Sequence, residues 1–140
     1  MVATVEYVNG AVRLIDQRRL PGEEVFIECC DYLSVAEAIR TLAVRGAPAI
    51  GVTAALGLAI GARAIEAADF DHFWARFTEI CAVMAATRPT AVNLFWAIRR
   101  MKDAFSEAAM AGKSVDEIRA RLIREATAIH DEDVQSCRTM

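Results

Sequence analysis

The sequence predicts a mainly helical fold with a small N-terminal antiparallel β-sheet of about three strands. Two observations predict it. Two β-prone runs flank Asn9-Gly10 near the start of the chain, the strongest short-range hairpin signal. From residue 34 onward, apolar residues recur at helical spacing between capping and breaking residues. Residues 1–33 are therefore assigned to the sheet and residues 34–140 to the helical part of the same domain.

The strands are read at 4–8, 11–16 and 25–30, with a second turn at Leu20-Pro21-Gly22-Glu23. Ser34-Val35-Ala36-Glu37 reads as a capping box opening a helix with Val35, Ala38, Ile39, Leu42 and Ala43 on one stripe. That helix is expected to end near Arg45, with Gly46 in the left-handed position. Pro48 suits the first turn of the next helix, about 48–66, because its missing N–H has no partner there in any case. This helix is apolar on nearly every face and so belongs at the centre of the fold. Asp69 or Asp71 caps a third helix, running to about Ala86 with the stripe Phe73, Phe77, Ile80, Cys81 and Met84. Arg88-Pro89-Thr90 breaks it and starts a fourth, about 89–111, which ends at Gly112. Ser114-Val115-Asp116-Glu117 is a second capping box and opens the last helix, which reaches Met140 without a Gly or Pro. That ending leads us to expect an N-terminal piece of a longer protein.

Composition excludes several classes. The 140 residues are 55% hydrophobic, too apolar for a disordered chain. The formal net charge is −3 and neither half of the chain is net basic, which argues against binding nucleic acid by phosphate neutralisation. The longest uncharged run, Gly46–Ala62, is broken by five glycines and prolines and is marginal for a bilayer. Four cysteines without C-x-x-C spacing point to free thiols in a reducing cytoplasm.

Two helix starts share an unusual feature. Ala47 precedes Pro48, Arg88 precedes Pro89, and neither is a good N-cap residue. Each helix would present backbone N–H groups without a local acceptor, next to Arg45 or Arg88. Such a terminus is a ready site for an anion, phosphate above all, and arginine adds a fork that matches phosphate oxygens. A plain helix–helix turn would also account for either motif alone, and spacing does not say whether the two converge. The remaining candidates have simpler readings. His72 and His130 sit in no ligand pattern, Asp131-Glu132-Asp133 reads as a solvated face, and Trp74, Phe95, Trp96 and Phe105 read as core.

The segments Arg45-Gly46-Ala47-Pro48-Ala49-Ile50-Gly51 and Arg88-Pro89-Thr90-Ala91-Val92-Asn93-Leu94, with Ile15-Asp16-Gln17-Arg18-Arg19-Leu20-Pro21 ahead of them, resemble the N-terminal domain of the methylthioribose-1-phosphate isomerase family. The wider family includes ribose-1,5-bisphosphate isomerase and the regulatory subunits of translation initiation factor 2B. The resemblance implies an aldose–ketose isomerase of methionine salvage that converts 5-methylthioribose 1-phosphate to 5-methylthioribulose 1-phosphate without a metal or redox cofactor. It also implies a cytoplasmic homodimer with neither nucleic acid nor membrane as partner. Carried over by motif, Arg45, Gly46, Ala47 and Arg88 would bind the substrate, chiefly its phosphate. The family's Rossmann-like C-terminal domain, with the catalytic cysteine and aspartate, is expected to lie beyond this chain. Cys137 falls before that domain and is not taken as catalytic. A ribose-1,5-bisphosphate isomerase-like enzyme, a non-catalytic regulatory or assembly subunit and a plain helical interaction domain are the alternatives.

Overall fold

A computed structural model describes residues 5–8, 10–15, 22, 26–41, 47–67, 69–88 and 91–139. Three strands, β1 (Val5–Val8), β2 (Ala11–Ile15) and β3 (Phe26–Cys29), form an antiparallel sheet in the order β1-β2-β3. Val8 pairs with Ala11, so the first hairpin has a two-residue loop, and Gly10 sits at φ 82° within it. The expected turn at Leu20-Pro21-Gly22-Glu23 lies, Gly22 apart, outside the described residues.

Five helices follow: α1 (Tyr32–Arg40), α2 (Ala47–Ala64), α3 (Phe70–Thr87), α4 (Val92–Met110) and α5 (Val115–Thr139). The expected Ser34 capping box does not form. Asp31 is the N-cap, its carboxylate accepting the Ser34 N–H at 2.7 Å, and Glu37 instead pairs with Arg40. Starting the helix at Tyr32 lets this residue pack against α2, where a Cβ on Gly61 would stand 3.1 Å from the Tyr32 Cβ. The helix also stops short of the expected Arg45. Thr41 is its C-cap, donating both N–H and hydroxyl to the Glu37 carbonyl. Val35, Ala38 and Ile39 are buried as expected, while Leu42 and Ala43 lie outside the described residues.

The second capping box forms fully. Ser114 Oγ accepts the Glu117 N–H at 3.2 Å and Glu117 returns a carboxylate oxygen to the Ser114 N–H at 3.1 Å. Asp69 caps α3, and every residue of its stripe is buried. The end of α4 closes in a Schellman motif: Gly112 at φ 78° donates to the Ala109 carbonyl and Lys113 to that of Ala108.

Helix α2 is the centre of the molecule, packing most extensively against α4 and α5 and also against α1, α3 and the sheet. Small residues make this possible. A Cβ on Gly57 would fall 2.6 Å from Val35 Cγ1 and 3.0 Å from Met84 Cε. Phe105 gathers Phe70, Phe73, Trp74 and Phe77 around it with ring centroids 4.8 to 5.5 Å away. Val5, Val12, Leu14 and Cys29 of the sheet belong to the same core as the helices. His130 Nε2 donates to the Val5 carbonyl at 2.8 Å, which ties α5 to β1. Among the described residues, no helix is long and apolar enough to cross a membrane.

Candidate functional site

The site is built from the first turns of α2 and α4. Ala47, expected as the cap, is already the first residue of α2. Arg45 and Gly46 themselves lie outside the described residues. Arg88 is not the residue before α4 either. As a pre-proline residue it is extended, at φ −147° and ψ 82°, and it forms the C-cap of α3. Its carbonyl accepts the Ala91 N–H at 3.0 Å. α4 consequently begins at Val92 rather than near Pro89, with Ala91 as N-cap and no side-chain capping hydrogen bond. α4 thus starts without a side-chain cap, and in the sequence the residue ahead of α2, Gly46, has no side-chain oxygen to offer.

The contrast with the other helices is informative. α1, α3 and α5 are capped by Asp31, Asp69 and Ser114. α3 and α5 also carry Asp71, Asp116 and Glu117 in their first turns, where a carboxylate complements the positive end of the helix dipole. α2 and α4 carry no acidic residue there. No Asp or Glu occurs anywhere from Ala38 to Ile65 or from Thr87 to Met101. An arriving anion would meet no competing charge from these segments.

The two starts lie together. A Cβ placed on Gly51, one turn into α2, would stand 3.2 Å from the Asn93 carbonyl oxygen and 3.6 Å from its Cβ, at the second residue of α4. Ala47 is one helical turn, about 6 Å along the axis, ahead of Gly51. Arg88 is half-buried five residues ahead of Asn93, and among the described residues no carboxylate pairs with it. Gly51 and Asn93 belong to the two sequence motifs, but the sequence alone assigns them no role in the site. Four-residue spacing placed Gly51 on the face of Ala47, but nothing local says which element that face meets.

Further along α4, the cation Arg100 is engaged with α5. Its guanidinium binds Glu125 and Glu132 at 2.5 Å each and lies 5.5 Å from the Trp96 ring centroid. The Glu132 hydrogen bond leads the causes that hold Arg100 above its ordinary pKa. Burial works to raise the Glu125 carboxyl, but hydrogen bonds from Arg121 and Arg100 outweigh it and hold it below the usual range. Glu132 is thus part of a network between α4 and α5, not merely a solvated face. Phe95 and Trp96 are a second correction. They are 43% and 50% exposed, because the α4 face that packs inward is that of Leu94, Ala97, Ile98 and Met101. Phe105 does lie in the core, and Trp74, partly buried, packs against it. His72 is exposed and bound to Asp69, whose hydrogen bond raises its pKa. Among the described residues, no cluster of three His, Cys, Asp or Glu side chains could hold a metal ion.

Comparison with known proteins agrees with this architecture. The model of the initiation factor 2 subunit family matches residues 43–140, which include both helix starts. This chain belongs to that family. It is 52% identical over 137 residues to the methylthioribose-1-phosphate isomerase of Geobacter sulfurreducens, a match covering 98% of this chain and 39% of the relative. Its structure is similar to that of 5-methylthioribose 1-phosphate isomerase from Pyrococcus horikoshii, with a TM-score of 0.90 and 42% identity over 96% of this chain and 37% of the other. It is also similar to the delta subunit of translation initiation factor eIF-2B from A. fulgidus, with a TM-score of 0.85 and 40% identity over 96% of this chain and 38% of the other. The chain thus spans about two-fifths of the length of such relatives.

Proposed function

We propose that this chain is the phosphate-holding part of an aldose–ketose isomerase that converts 5-methylthioribose 1-phosphate to 5-methylthioribulose 1-phosphate in methionine salvage. The observation that carries the proposal is the approach of two helix starts, Gly51 against Asn93, in a chain 52% identical to an isomerase of that name. Arg45 and Arg88 would bind phosphoryl oxygens through their guanidinium groups, and the amides at Gly46 and Ala47 would donate to the same oxygens.

This grip suits the chemistry. The 1-phosphate locks the sugar as a ring. The ring must open, and hydrogen must then move from C2 to C1 as the aldose becomes the ketose. A positioned acid–base pair performs such a transfer well, provided the carbon skeleton is fixed relative to it. Holding the phosphate from two sides would fix C1, while the family resemblance assigns the acid–base groups to residues other than these. The reading includes a homodimer and a cytoplasmic setting, both supported by the family resemblance.

The test uses the complete protein that carries this chain. It should convert 5-methylthioribose 1-phosphate to the ketose, followed by NMR. Arg88→Ala should lower kcat/KM by about 100-fold, roughly 2.7 kcal/mol of lost binding to the transition state. Residues 1–140 alone should give no turnover. Wild-type efficiency in Arg88→Ala, or ketose formed by residues 1–140 alone, would contradict the assignment. Similarity to the eIF-2B delta subunit favours a second reading, a non-catalytic regulatory subunit. A complete protein inactive on both 5-methylthioribose 1-phosphate and ribose 1,5-bisphosphate would support it, and turnover of the bisphosphate alone would reassign the substrate.

A further inference from the structure

We propose that Gly51 is a positioning residue: its missing side chain seats the Asn93 backbone against the first turns of α2 and so fixes the gap between the two helix starts that hold the phosphate. The inference rests on the function proposed above and assigns a part of the chain that the arginine motifs leave without a role.

The neighbours of the glycines distinguish Gly51. A Cβ on Gly57 would meet side chains, Val35 Cγ1 and Met84 Cε. A Cβ on Gly51 would meet the backbone of Asn93, with the carbonyl oxygen at 3.2 Å and the carbonyl carbon at 3.7 Å. A side chain relieves crowding by changing rotamer, whereas a backbone carbonyl moves only with its helix. An added methyl at position 51 therefore pushes the start of α4 away from that of α2 by a few tenths of an ångström. Hydrogen bonds from fixed N–H groups weaken with such displacement, because their donors no longer converge on one oxyanion. Stability responds differently. Alanine is the better helix former, so the gain in propensity opposes the strain of the contact. Binding and stability thus separate at this position, and a purely structural glycine would not separate them.

The experiment compares the complete wild-type protein with Gly51→Ala and Gly57→Ala. It measures KM and kcat for 5-methylthioribose 1-phosphate, the inhibition constant of inorganic phosphate, and Tm. In Gly51→Ala, KM and the phosphate inhibition constant should rise together by about fivefold, with kcat within about twofold and Tm within about 2 °C of wild type. Gly57→Ala should lower Tm and leave KM unchanged. Unchanged KM and phosphate inhibition in Gly51→Ala would overturn this inference alone. A rise in KM accompanied by a loss of Tm, or a variant that does not fold, would also overturn it, since Gly51 would then serve packing. A wild-type protein that neither turns over the substrate nor binds phosphate would overturn the parent reading and this inference with it.

Discussion

Cys29, Cys30 and Cys81 show how strongly position governs a side chain in this fold. Cys29 ends β3 inside the core, and burial pushes its thiol up to about 11. Cys81 lies on the buried stripe of α3, where burial pushes its thiol up to about 12. Cys30 follows directly and is exposed. The thiolate is the reactive form, so a raised pKa leaves the buried pair protonated and unreactive at pH 8, with reactivity rising only as pH approaches those values. Brief alkylation of the native protein at pH 8, read by peptide mass spectrometry, should modify Cys30 and spare Cys29 and Cys81. Modification of all three at equal rates would contradict the burial described. The strand read at 25–30 in the sequence includes both Cys29 and Cys30, and strand alternation turns adjacent side chains to opposite faces. The exposure of Phe95 and Trp96 was not, because aromatic content says that a residue favours burial without saying which face of α4 meets a partner.

The helices are delimited by local chemistry, and the clearest instance is the end of α4. Gly112 adopts φ 78°, where a side chain is strained, and two backbone hydrogen bonds depend on that conformation. A Cβ there would meet nothing within 4 Å, so any cost of Gly112→Ala comes from the backbone alone. Urea denaturation should show a loss of about 1 kcal/mol with an unchanged m-value. No loss would contradict the assigned cap. This end was legible because Gly112 and the Ser114 capping box agree. The start of α1 was misread because Asp31, Ser34 and Glu37 offer two overlapping capping registers. Packing of Tyr32 beside Gly61 favours the earlier one. The start of α4 shifted from Pro89 to Val92 because the Arg88 carbonyl engages the Ala91 N–H first. Shifts of a few residues arise where several caps compete, each being worth only about 1 kcal/mol.

At the scale of the whole molecule, the fold brings distant segments together. More than forty residues separate Gly51 from Asn93, yet they touch because α2 runs through the centre and α4 packs along it. Sequence supplied the parts of the site: two arginines, two starts without side-chain caps and the family resemblance. It did not supply the approach of Gly51 to Asn93, which depends on how α2 and α4 pack rather than on any local pattern. Whether a single phosphoryl group is held between these starts is read most directly by titrating the isotope-labelled chain with inorganic phosphate, followed by amide NMR. Amides at 49–51 and 92–94 should shift together, saturate with one dissociation constant, and lose this response in Arg88→Ala. A saturable shift confined to one of the two segments, or no saturable shift in either, would contradict that arrangement.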